Sequence, residues 1–150
     1  MHIIFKVWHC LWTVLGCTLN TWLIYVAVSK SPKVIRAYAT LIISFGITDF
    51  VECAFDWFVQ IRLMPSPGEL AIVYMMDGPC KYFGALTCKI STSIYLHCLP
   101  HSVWSLLLSF AYRLYVLHHS ALSRSGIIKV VSLVYLPSLF QAVNQQLHGI

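Results

Sequence analysis

Between Tyr38 and Ile61 the chain runs almost unbroken through apolar residues, yet it carries Asp49, Glu52 and Asp56, spaced three and then four residues apart. On a helix that spacing puts all three carboxylates on one stripe. A segment apolar enough to enter a bilayer therefore hides acid along a single face. Its eleven Leu, Ile, Phe and Val residues return about 3 to 7 kcal/mol on insertion, whereas three acids at the bilayer centre would cost about 7 to 10. Depth decides the balance: Asp49 lies near mid-span, and Glu52 and Asp56 climb toward one surface, where water lowers the cost. Such a helix cannot stand alone in lipid. It needs neighbours, and the chain supplies three more apolar runs.

Of the 150 residues, 59% are hydrophobic and 10% charged, where a soluble domain carries about a quarter charged residues. At about 20 residues per crossing, the length is filled by a single all-α domain, 1–150, a polytopic transmembrane helix bundle with spans at about 7–28, 38–61, 85–117 and 126–143. The first run, Val7 to Val28, is uncharged and longer than the h-region of about 7 to 15 residues in a signal peptide, so it reads as a helix that stays. Pro32 with Lys30 and Lys33 ends it. The Pro65-Ser66-Pro67-Gly68 turn follows span 2. If helical from Cys80 to Leu117, span 3 would hold 38 residues and measure about 57 Å, far beyond a hydrocarbon core of about 30 Å. A late start near Gly84, with a kink at Pro100, is the expectation.

Lys30, Lys33 and Arg36 sit in the first loop, and Arg124 and Lys129 flank the third beside Arg113. Basic excess marks the cytoplasmic side, which predicts loops 29–36 and 118–125 inside, with the N-terminus and the second loop outside. The second loop holds Arg62, Lys81, Glu69 and Asp77. These cations lie in short juxtamembrane turns, so nucleic-acid binding is not expected.

Glu52 and Asp56, with Tyr95 from span 3, are the candidate lining of an outward cavity, and Asp49 the anchor of a buried polar cluster. In span 3, Cys88, Ser91, Tyr95, Cys98, Ser102, Ser105, Ser109 and Arg113 recur at steps of three and four, a small and polar seam that lets helices approach closely in lipid. His97 and His101 are one turn apart, and the His118-His119 pair is about 26 Å away along the helix. Two imidazoles are too few for a metal site, so neither a metal nor another cofactor is expected. Cys80 and Cys88 lie on the predicted oxidising side. Were both on one straight helix they would be about 12 Å apart, beyond one disulfide, and each would need another partner. Cys10, Cys17, Cys53 and Cys98 read as buried apolar residues.

Several of these positions resemble landmarks of rhodopsin-like G-protein-coupled receptors: Asn20, Asp49 within Gly46-Ile47-Thr48-Asp49, Ser102, and a spacing of 25 residues from Cys88 to Arg113. Closer still, Lys30-Ser31-Pro32-Lys33, Gly78-Pro79-Cys80-Lys81-Tyr82-Phe83-Gly84, His101-Ser102, Ser105-Leu106-Leu107-Leu108-Ser109-Phe110-Ala111-Tyr112-Arg113 and Leu136-Pro137-Ser138 resemble nematode serpentine receptor class delta chemoreceptors. The resemblance runs from about Asn20 to Val143. It implies helices 1–4 of a seven-helix receptor for an unknown small-molecule ligand. It also implies a polar core of Asn20, Asp49 and Ser102, cytoplasmic coupling through Arg113, and a G protein as partner. Two departures matter. Tyr112 stands where many rhodopsin-like receptors place an acid before the arginine. Four apolar runs also stand where those receptors have seven, so a truncated or partial receptor is expected, with no further outer loop to offer Cys88 a partner. Signalling by four helices alone is not expected; assembly with a full-length receptor is the alternative role within this reading.

A channel or transporter subunit whose acids line a pathway is the competing class. An enzyme is not expected, because no nucleophile and base converge at one depth of the bilayer.

Overall fold

The computed structural model describes residues 2–32, 36–65, 72–120 and 122–147. Four helices dominate: α1 (His2–Ser29), α2 (Arg36–Val59), α3 (Ala85–His118) and α4 (Arg124–Leu147). Three are long and apolar enough to cross a membrane, while α4 is apolar only over the shorter stretch Ser125–Gln141. α2 lies centrally, packing on α1, α3 and α4, and α3 also packs on α4. Lys33, Ser66 to Gly68 and Glu69, invoked above for charge and turn chemistry, lie outside the described residues.

The ends differ from the sequence expectation in ways that matter for the site. α1 starts at His2 rather than near Val7, so Lys6 lies inside the first helical turns. α2 stops at Val59; Gln60 takes a left-handed backbone, φ 46°, and Ile61 begins a strand instead of closing the span. The strand β1 (Ile61–Pro65) pairs antiparallel with β2 (Ile72–Met76), Ile61 opposite Met76 and Pro65 opposite Ile72. This hairpin is bonded directly to the helix end: Asp77 N donates to Gln60 O at 3.3 Å and Gly78 N to Val59 O at 3.0 Å. Only glycine fits there. A Cβ on Gly78 would stand 2.2 Å from the Phe58 carbonyl oxygen and 2.6 Å from the Val59 carbonyl carbon, and backbone cannot give way as a side chain can. Gly78→Ala should therefore cost about 1–3 kcal/mol, seen as earlier loss of the monodisperse peak in size-exclusion chromatography after heating.

Next comes a single 3-10 turn, Pro79–Phe83, and then Gly84 at φ 97°, a conformation strained for any residue with a side chain. Gly84 reverses the chain before α3 begins. That reversal corrects the straight-helix estimate for the cysteines: Cys80 and Cys88 are disulfide-bonded, with Cα atoms 5.1 Å apart. Even with its late start, α3 has 34 residues, about 51 Å of helix, so it outruns a bilayer core of about 30 Å. Pro100 sits within the helix, with no break in its secondary structure.

The apolar surface faces outward. Trp8, Leu11, Trp22, Val103, Leu107 and Leu133 are all exposed, the arrangement expected where lipid, not water, is the solvent. Only 6% of the apolar window of α1 is buried, against 22% for α2 and for α3, which makes α1 the peripheral helix. At the end opposite the hairpin, Leu41, Tyr112 and Ile127 form a buried cluster with Tyr38, Phe45, Leu108, Leu122 and Val131 packed around it. Elsewhere the helices meet through small and polar groups, and Ser91, Cys98, Ser105 and Ser109 of the α3 seam are buried, as close approach in lipid requires.

Candidate functional site

The acidic stripe of α2 feeds two polar centres. In the deeper one, the Ser102 hydroxyl of α3 lies 2.9 Å from Asp49 Oδ1 and 2.9 Å from Glu52 Oε2. A serine carries one hydroxyl hydrogen. It can satisfy one carboxylate at a time, so the second contact is completed only when one of the acids itself carries a hydrogen. Glu52 thus belongs to the Asp49 cluster as well as to the cavity assigned to it from sequence. Asn20 does not join this cluster. Its amide donates to Gly16 O of its own helix at 3.0 Å, a local bond that needs no partner helix.

One and two turns nearer the hairpin, α1 closes over the same stripe. His9 Nδ1 lies 2.7 Å from Asp56 Oδ2, and Thr13 Oγ1 donates to Cys53 O at 3.3 Å. Between the three helices is a cavity of about 260 Å³ lined by Trp12, Thr13, Glu52, Cys53, Asp56 and Tyr95. Glu52, Asp56 and Tyr95 all border it. His9 was not foreseen. The only signal for it was positional: on antiparallel α1 and α2 it stands near the same end as Asp56.

A third polar group joins α2, α3 and α4. His101 is 1% exposed, lies 3.2 Å from Ser105 Oγ through Nε2, and stacks on Tyr135 with ring centroids 3.7 Å apart. Tyr135 Oη in turn lies 3.1 Å from Thr48 Oγ1. The Nδ1 atoms of His97 and His101 are buried without a hydrogen bond among the described residues. No set of three or more His, Cys, Asp or Glu able to hold a metal occurs among the described residues.

At the opposite end, Arg113 finds a partner that the sequence did not suggest. Its Nε donates to Tyr38 Oη at 2.8 Å, and a terminal nitrogen donates to the same oxygen. Tyr38 Oη also lies 3.3 Å from Ser109 Oγ, and its ring stacks on Tyr112 with centroids 5.8 Å apart and planes 6° from parallel. The tyrosine standing before the arginine therefore braces the phenol that holds it.

A three-carboxylate stripe, a cavity facing α1 and α3, and a tethered arginine at the far end of α3 together fit one half of a helical membrane receptor, and sequence comparison agrees. The family model described as "Serpentine type 7TM GPCR chemoreceptor Srd" matches residues 5–148. The chain belongs to this family, serpentine receptor class delta, and is thereby a multi-pass membrane protein. It is 56% identical over 144 residues to serpentine receptor class delta-18 of Caenorhabditis elegans, covering 96% of this chain and 43% of that relative. To serpentine receptor class delta-19 of the same organism it is 57% identical over 144 residues, covering 96% and 42%, and to class delta-1 it is 37% identical over 120 residues, covering 80% and 32%. The chain thus spans about two fifths of the length of the class delta-18 and delta-19 receptors. No solved structure matches it. Family membership leaves the channel reading without support.

Proposed function

We propose that this chain forms the first four helices of a chemosensory receptor, with its N-terminus outside and the loops at 29–36 and 118–125 in the cytoplasm. The cavity bounded by Glu52, Asp56 and Tyr95 receives a small-molecule ligand, and Arg113 lies on the side that meets a G protein. The cavity itself carries this reading, because it brings the acid stripe and an aromatic phenol together at one depth between three helices. Asp49 and Ser102 form the polar core beneath it. The chain spans about two fifths of the length of the class delta-18 and delta-19 receptors, and partnership with a full-length receptor is the accompanying proposal; co-purification at no more than background would remove it.

The test grafts residues 1–150 onto the remainder of the class delta-18 receptor and reads G-protein activation against a panel of amines, carboxylates and neutral odorants. At least one active compound should lose about tenfold or more in potency, equivalent to about 1.4 kcal/mol, on Asp56→Asn or Tyr95→Phe at unchanged surface level. Active compounds indifferent to Glu52, Asp56 and Tyr95 alike would move the ligand elsewhere. Tags at Met1 and in the Ser29 to Arg36 turn should report opposite compartments.

A further inference from the structure

A second concavity lies beside the hairpin, outside the acidic cavity and with the opposite charge. It is a cleft of about 350 Å³ between the start of α1 and the turn that follows β2, lined on one side by Lys6 and Cys10 and on the other by Trp57, Gln60, Lys81 and Tyr82, with Asp77 at its floor. The one carboxylate, Asp77, is already shared by two cations, Arg62 at 3.1 Å and Lys81 at 3.3 Å. Lys6 is exposed and has no counter-ion among the described residues. Among the described residues that line the cleft, Lys6 is thus a cation with no carboxylate of its own.

A second observation points into the same cleft. Gln60 is 5% exposed, and its main-chain groups are used by Asp56 and Asp77. Its side-chain amide makes no hydrogen bond among the described residues. The amide is not among the fully enclosed unpaired side-chain atoms of the described residues, so it stays reachable from the cleft that it borders. The left-handed turn at Gln60, the hairpin and Gly78 together fix that amide in place. On the same wall are Trp57, exposed and apolar, and the Tyr82 ring, which Lys81 Nζ overlies at 5.4 Å from the centroid.

We propose that this cleft binds an anionic amphiphile. One oxygen of a carboxylate or phosphate group meets the Lys6 ammonium, a second accepts from the Gln60 amide, and the apolar body lies against Trp57 and out along the lipid-facing side of α1. A lone halide would leave the amide and the indole unused. A neutral amphiphile would leave Lys6 unbalanced. A headgroup of this kind can come from a free fatty acid or from an anionic lipid of the surrounding leaflet.

Cys10 makes the proposal testable, because it is a free, exposed thiol on the cleft wall, whereas Cys17 and Cys53 are half-buried and Cys98 is buried. The full chain in phosphatidylcholine nanodiscs is treated with N-ethylmaleimide, and Cys10 modification is followed by peptide mass spectrometry. Decanoate should slow that reaction about fivefold at about four-fifths occupancy, while decanol at equal concentration should not. Lys6→Gln should abolish the protection, and Lys30→Gln at the other end of α1 should leave it intact. If decanoate is inert but discs containing phosphatidylglycerol protect Cys10 in a Lys6-dependent way, the anion comes from the bilayer. Equal protection by decanol, protection that survives Lys6→Gln, or none from either anion would each overturn the proposal. Circular dichroism of Lys6→Gln checks that the helices persist.

Discussion

Ser102→Ala should destabilise the bundle by about 1.5–3 kcal/mol, the range for hydrogen bonds to charged groups. Interhelical hydrogen bonds in membranes average only about 0.6 kcal/mol, because an unfolded segment finds other partners. Ser102 exceeds that average for a specific reason: its hydroxyl, 2.9 Å from both Asp49 and Glu52, donates to a carboxylate, and without it neither acid keeps that donor. Asp49→Asn should have the opposite sign or none, since the amide brings its own hydrogens to the shared hydroxyl. The double variant is decisive. In the Asp49→Asn background, Ser102→Ala should cost at least about 1 kcal/mol less than in the parent, a coupling typical of residues in one network. Thermal unfolding in detergent measures all four species, and additive effects would show that the hydroxyl does not join the acids.

Loss of the Cys80–Cys88 bridge ranks next. It closes a loop across a sequence separation of 8, for which the chain-entropy relation gives about 2.5 kcal/mol. Cys80→Ser, Cys88→Ser and the double variant should be destabilised equally, because either change opens the same loop. Reducing the parent with dithiothreitol should reproduce the effect, and the variants should not respond to it. A larger loss in Cys80→Ser than in Cys88→Ser would mean that packing of the buried Cys80 side chain, not the covalent link, supplies the stabilisation.

The helices were legible in the sequence because apolar runs of bilayer length have few alternative folds, and the acid stripe of α2 was legible because a period of three and four fixes a face. What was hidden depended on geometry between segments. The cysteines seemed too far apart only on the assumption of one straight helix; Gly84, at φ 97°, turns the chain between them. Residues 61–65 and 72–76 carry no clear alternation of polar and apolar groups, and their pairing is organised by bonds from Gln60 and Val59 at the end of α2. His9 and Tyr38 are amphipathic residues inside apolar runs. Their roles follow from which acid or arginine stands opposite, and that register is set by helix packing. Asn20 stands outside the Asp49–Ser102 cluster, its amide nitrogen donating to a carbonyl of its own helix one turn back.

The tether of Arg113 to a phenol instead of a carboxylate has an energetic corollary. Detaching a guanidinium from a neutral oxygen forfeits about 1.5–3 kcal/mol, whereas breaking a buried ion pair strands an opposite charge at about 3–5 kcal/mol. A latch of the weaker kind leaves the freed state populated at roughly the per cent level instead of about a twentieth of that. On the role proposed for Arg113, a receptor built on these helices idles with a measurable resting output, which Tyr38→Phe should raise.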